Sequence, residues 1–269
     1  MKFSGSKSAL LSKCRYSFRD DVTWKEWPKT PEQALGNALH DASDTAVKLR
    51  LLDMPVKDEV LLDNVAKTHH VEDREKLNRY WAHMRKYLDG FTWNTEARSS
   101  EVKLAVDLGK QSARELHESG LRDYSGALEH EVPLTLDLVG FRNGKRPILL
   151  DWKTGQHVHG YWPQIATQAV AVAWRLKTDC ADIWDRYQSI EAGILHVTEA
   201  GVEEITRVFT SDDLDAIADD LSLWIFEIPD SVPTPGEHCT EMRCGAFMTC
   251  PATKPLIRQA CSKSIPRWS

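Results

Sequence analysis

A chain of 269 residues, 42% hydrophobic and 28% charged, can bury one large core, and its net charge of −6 argues against coating duplex DNA through the whole surface. No window approaches the roughly 18 apolar residues that span a bilayer, and the N-terminal stretch lacks an apolar run followed by a cleavage site, so the sequence reads as cytoplasmic. Six cysteines in such a chain are not expected to pair as structural disulfides, so any cluster among them needs another explanation.

Residues 6–18 read as a short helix, with Leu10, Leu11, Cys14 and Phe18 at helical spacing. Thr30-Pro31 signals a helix start, and Ala34, Leu35, Ala38, Leu39, Ala42 and Ala46 form one apolar stripe behind it. Residues 57–69 and 71–88 are further amphipathic helices rich in charge. Residues 92–108 and 126–141 read as strands separated by a polar segment. Asn143-Gly144 marks a tight hairpin turn, which makes 146–152 an antiparallel partner of the preceding strand. Residues 160–176 form an alanine-rich helix with one face on the sheet. A second hairpin covers 190–198 and 201–209, and Ser211-Asp212-Asp213 caps a last amphipathic helix over 211–228. A loop marked by proline and glycine from Pro229 to Gly236 leads into a cysteine-rich tail. The order predicts an α/β protein with a mixed central sheet flanked by helices.

Charged residues embedded in the apolar hairpin carry the chemistry. Residues 134–141 alternate as far as Asp137 and then turn apolar. The partner strand ends in Asp151, Trp152 and Lys153. Positions two apart in a strand share a face, so Asp151 and Lys153 point together, while Trp152 points away into the core. Burying those charges needs compensation, either a mutual salt bridge or a metal ion. Hard oxygen ligands of this kind suit Mg²⁺ or Mn²⁺ and metal-assisted cleavage of a phosphodiester, with the lysine orienting water or stabilising developing negative charge. His40 stands one helical turn after Gly36, where the absent side chain permits close approach of another element. Gln164, on the helix after the Asp-x-Lys strand, is placed to hydrogen-bond a nucleotide or the lysine, or to cap a polar face. Cys239, Cys244 and Cys250 lie close together before Pro251 and suggest a metal site, for which Cys14 is the natural fourth ligand. Cys180 and Cys261 fit no pattern.

These residues together resemble the RecB-like branch of the PD-(D/E)xK nuclease superfamily, and within it the iron–sulfur exonucleases of the CRISPR-adaptation, AddB and phage type. "GNALH" is similar to the first motif of that family, "LTLDLVGF" to the second, "ILLDWKTG" to the signature motif and "PQIATQ" to the Gln-x-x-x-Tyr motif, whose tyrosine position is Gln168 here. The resemblance implies a PD-(D/E)xK core with a helical N-terminal insertion and a C-terminal iron–sulfur segment. His40, Asp137 and Asp151 become ligands of Mg²⁺ or Mn²⁺, Lys153 the catalytic lysine and Gln164 a further catalytic residue. Cys14, Cys239, Cys244 and Cys250 would hold a [4Fe–4S] cluster that staples the chain ends together. The whole of 1–269 would form a single nuclease domain, with 1–30 and 231–269 as the cluster-binding part, 50–92 as the helical insertion and 93–227 as the nuclease core.

The function expected on this basis is a metal-dependent DNA exonuclease that prefers single strands or single-stranded ends. Tyr161, Trp162 and Gln168 would contact the DNA, the aromatic rings by stacking on bases. No Gly-x-x-x-x-Gly-Lys-Ser/Thr loop is present, so unwinding would fall to a helicase, recombinase or integrase partner. Two other readings are a catalytically silent DNA-binding or scaffold subunit of the same fold and a zinc-stabilised module without nuclease activity.

Overall fold

The computed structural model describes Leu11, Cys14, Phe18, residues 29–94, 99–117, 124–143, 146–155 and 158–228, and Asp230. Three helices come first: α1 (Pro31–Leu51), α2 (Asp58–His69) and α3 (Arg74–Asn94). The Thr30 hydroxyl accepts the Gln33 N–H at 3.2 Å while the Gln33 side chain accepts the Thr30 N–H at 3.0 Å, a reciprocal cap that fixes the start of α1. The strands are β1 (Ser99–Asp107), β2 (Ser112–Glu115), β3 (Val132–Arg142) and β4 (Arg146–Lys153), then β5 (Ser189–Thr198) and β6 (Gly201–Thr210). Between β4 and β5 lie α4 (Trp162–Asp179) and the short α5 (Ala181–Tyr187), and α6 (Ser211–Phe226) follows β6.

The six strands form one sheet in the order β2-β1-β3-β4-β5-β6. All neighbours are antiparallel except β4 and β5, which are parallel. The expected hairpin is present, and Asn143 closes it in the left-handed conformation, with φ of 53°, that asparagine tolerates. The parallel pair needs a long crossover, which α4 and α5 supply. Helices cover both faces of the sheet. On one face α4 and α6 pack through Ile165, Ala169, Leu214 and Ala218 onto Leu149, Ala192 and Ile194. On the other, α1, α2 and α3 pack through Leu39, Leu62, Leu77 and Met84 onto Ile148, Leu150 and Leu195. Strand β4 is therefore buried on both sides, which explains its unbroken apolar run. The helices of the expected insertion, α2 and α3, complete this second layer.

Three departures from the sequence expectation are local. Helix α3 runs on to Asn94, where strand was expected to begin at 92. Strand β2 has only one buried residue, Ala113, and so carries no alternation to read. Helix α5 is only seven residues long. No helix among the described residues is long and apolar enough to cross a membrane.

One irregularity positions the functional residues. In β3, Leu134 and Leu136 pack on the α4 side, but Leu138 packs on the α1 side. Strand β1 does the same: Leu104 and Val106 join the α4 side, whereas the Ser100 hydroxyl donates to Asp44 Oδ1 of α1 at 2.7 Å. Residues two apart should share a face, so both strands change phase, β1 at Glu101 and β3 at Asp137. Glu101 has a positive φ of 48°, which re-aims its side chain at the fault.

Candidate active site

Four elements meet at this fault. Helix α1 contributes His40. A Cβ built on Gly36, one turn earlier, would lie 3.2 Å from Thr154 Oγ1, so the glycine lets the end of β4 come against α1. Strand β1 contributes Glu101, β3 contributes Asp137, and β4 contributes Asp151 and Lys153. His40 Nδ1 lies 3.1 Å from Asp137 Oδ2 and 3.9 Å from Glu101 Oε1. One ligand atom from each of His40, Glu101 and Asp137 falls within 4.8 Å of the others, a spacing one metal ion can bridge. Asp137 Oδ2 also accepts the Trp152 backbone N–H at 2.8 Å. The Trp152 indole turns away, as its strand position requires, and donates to Ser43 Oγ at 2.8 Å.

Asp151 is 1% exposed. Its Oδ1 accepts from Gln164 Nε2 at 3.1 Å and from Gln168 Nε2 at 3.2 Å. Its Oδ2 forms an ion pair with Lys153 Nζ and has no further hydrogen-bond partner. The Lys153 ammonium also stands over the Tyr161 ring, 4.7 Å from its centroid.

Burial and charge pull the site in opposite directions. Burial alone would depress the His40 pKa, but the adjacent Asp137 carboxylate holds it above the ordinary histidine value. Burial would raise Asp137, and His40, Lys153 and the Trp152 N–H overcome this and hold it low. Asp151 is pushed up, first by burial and then by the charge of Asp137. Burial works against the charge on Lys153 too, yet Asp151 and Asp137 keep it firmly protonated. Asp137, Asp151 and Glu101 thus share the compensation of Lys153 and His40, and a divalent cation would supply the remainder. His40, Glu101 and Asp137 offer one imidazole and two carboxylates, a mainly oxygen donor set that suits a divalent cation.

The structure brings together His40, Asp137, Asp151, Lys153 and Gln164. Glu101 joins them and was not singled out from the sequence; in "SSEVKLAVD" it looks like an ordinary polar residue of a strand, and only the register places it opposite Asp137. Tyr161 lies beneath Lys153. Trp162, the first residue of α4, packs against β6 instead, with the Arg207 guanidinium 4.0 Å over its ring and the Phe209 ring 6.5 Å away. Gln168, read as a DNA contact, is 1% exposed and faces Asp151 in the interior instead of a strand of nucleic acid. Cys14 is buried. Cys180 is half-buried at the junction of α4 and α5. Cys239, Cys244, Cys250 and Cys261 lie outside the described residues.

Comparison with curated proteins gave no match. The family description that fits the chain is that of the PD-(D/E)XK nuclease superfamily, over residues 2–251. That stretch takes in the whole sheet and every residue gathered around Asp137 and Asp151, and the chain belongs to this superfamily of metal-dependent nucleases.

Proposed function

We propose that the chain is a DNA exonuclease of the RecB-like branch that hydrolyses phosphodiester bonds with Mg²⁺ or Mn²⁺ and prefers single strands or single-stranded ends. The observation that carries this reading is the convergence of His40, Glu101, Asp137 and Asp151 with Lys153 at the fault in the sheet. Those four acidic and imidazole side chains would hold the metal. When bound, it neutralises charge on the phosphate and acidifies a water molecule. Lys153, kept charged by Asp151 and Asp137, stabilises negative charge as it develops on the phosphate oxygens or orients the attacking water. Gln164 holds the Asp151 carboxylate in place.

Support for a single-stranded substrate is electrostatic and local. A net charge of −6 argues against holding a duplex through the whole surface by counterion release. The Tyr161 ring lies under the lysine, and aromatic rings hold bases without reading sequence. The test compares linear single-stranded, circular single-stranded and blunt duplex DNA at equal nucleotide concentration with Mn²⁺. Rapid loss of the linear strand alone supports the reading. Site-specific cutting of duplex circles would instead mark an endonuclease.

The same reading extends to a [4Fe–4S] cluster on Cys14, Cys239, Cys244 and Cys250. Its support is the spacing of the late cysteines and the burial of Cys14, which is 4% exposed. Stoichiometric iron and visible absorbance in the purified protein, both lost in Cys239→Ala, are expected; bound zinc without iron would contradict it.

A further inference from the structure

We infer that Gln168 is a positioning residue that fixes which oxygen of Asp151 faces the metal, an inference that rests on the proposed nuclease function. An aspartate carboxylate turns freely about its last torsion unless hydrogen bonds hold it. Gln164 and Gln168 stand one turn apart on α4 and both donate to the same oxygen, Asp151 Oδ1, at 3.1 and 3.2 Å. Two donors on Oδ1 leave Oδ2 as the oxygen that meets Lys153, buried and without a further hydrogen-bond partner, and so the one a cation would meet. Without Gln168, Gln164 and the Lys153 ion pair alone would hold the carboxylate, and its tie to β3 would be lost.

Gln168 does more than duplicate Gln164. Its Nε2 also donates to the Thr135 backbone carbonyl of β3 at 2.8 Å. The regular β3–β4 pairing runs from Arg142↔Arg146 to Leu138↔Leu150 and goes no further toward the site. Beyond that point side chains span the two strands: Asp137 takes the Trp152 N–H, and Gln168 links Asp151 to Thr135. Both neighbours of the Gln168 amide nitrogen are acceptors, so the orientation of the amide is set by chemistry. Its Oε1 is in consequence buried without a hydrogen-bond partner. An orphaned buried acceptor is costly, and it is retained here at a residue whose two donors tie a candidate metal ligand to the neighbouring strand.

The test measures Mn²⁺ binding by calorimetry on the full chain, for the wild type, Gln168→Met and Gln168→Asn, with steady-state cleavage of linear single-stranded DNA alongside. Methionine keeps the volume and removes both donors; asparagine keeps a buried amide too short to span the gap. Both variants should bind Mn²⁺ about 10- to 100-fold more weakly, the usual effect of losing a residue that orients a metal ligand. They should also lose kcat with KM for DNA unchanged. Melting temperatures of the metal-free proteins report folding, and if Gln168→Met does not fold, Gln168→Asn decides. Wild-type Mn²⁺ affinity in a folded variant, even with a lowered melting temperature, assigns Gln168 to packing and overturns the inference. A wild-type protein that neither binds Mn²⁺ nor cleaves DNA overturns the nuclease reading itself, and this inference with it.

Discussion

Glu101 stands directly across the β1–β3 ladder from Asp137, between the pairs Ser100↔Leu138 and Val102↔Leu136, and it is at these two residues that both strands change face. The site is built from this defect: a regular sheet would send the two carboxylates to positions set by strict alternation. The positive φ at Glu101 costs about 1 kcal/mol for a residue with a side chain. Glu101→Gly should therefore retain or slightly raise the melting temperature of the metal-free protein while losing most cleavage. Thermal unfolding without metal and a cleavage assay on one preparation check both halves.

Metal should stabilise the folded chain. A ligand at 100 times its Kd adds about 2.7 kcal/mol, so saturating Mn²⁺ is expected to raise the melting temperature of the wild type measurably. In His40→Ala and Glu101→Gln that rise should shrink sharply, because each removes a member of the donor set. Scanning fluorimetry with increasing Mn²⁺ reads the difference, and an equal rise in all three proteins would place the metal elsewhere.

Asp151 and Lys153 should separate in stability although both are required for activity. Asp151→Asn and Lys153→Met are each expected to lower cleavage by at least about 10²-fold. Asparagine removes one of two crowded buried carboxylates and leaves Lys153 with Asp137, so its loss of stability should be the smaller of the two. Methionine leaves Asp151 and Asp137 without their lysine, and removing one partner of a buried pair costs on the order of 3 kcal/mol. Denaturant unfolding of the metal-free variants shows whether the two diverge.

Acid should weaken a second, non-catalytic contact. Glu131 is buried and accepts from Arg114 Nε at 2.8 Å and Nη2 at 2.7 Å, and from the Leu128 N–H at 2.7 Å. The Arg114 hydrogen bonds, chiefly, hold its pKa below the usual glutamate value against the effect of burial. A depressed carboxylate stabilises the fold fully above its unfolded pKa of about 4.3 and loses that contribution as pH falls through the lower folded value. Arg114 is partly exposed, so the contribution is about 1 kcal/mol. Glu131→Gln should be less stable than wild type by that amount at pH 7, and the gap should close toward pH 3.

Much of this was legible in the sequence, for identifiable reasons. Asn143 marked the hairpin, and the Asp151-x-Lys153 spacing placed both side chains on one face. The loss of alternation after Asp137 is the trace of the phase change itself. Gly36 beneath His40 carried the close approach that Thr154 makes. Glu101 stayed hidden because a glutamate in a strand gives no signal of positive φ, and its partner is set by register across more than thirty residues of chain. The depth of Gln168 stayed hidden for the same kind of reason: it depends on how α4 crosses β3 and β4, not on the residue's own neighbours in sequence.

The most direct test of the account is cleavage of end-labelled linear single-stranded DNA by wild type and Asp137→Asn, with Mn²⁺ and with excess chelator. Asp137 is the residue that joins His40, Trp152 and the opposing Glu101, so the site cannot function as described without its carboxylate. Wild type with Mn²⁺ should shorten the label progressively, with no shortening in chelator and none by folded Asp137→Asn. Degradation by Asp137→Asn at the wild-type rate, or by wild type in excess chelator, would contradict the account.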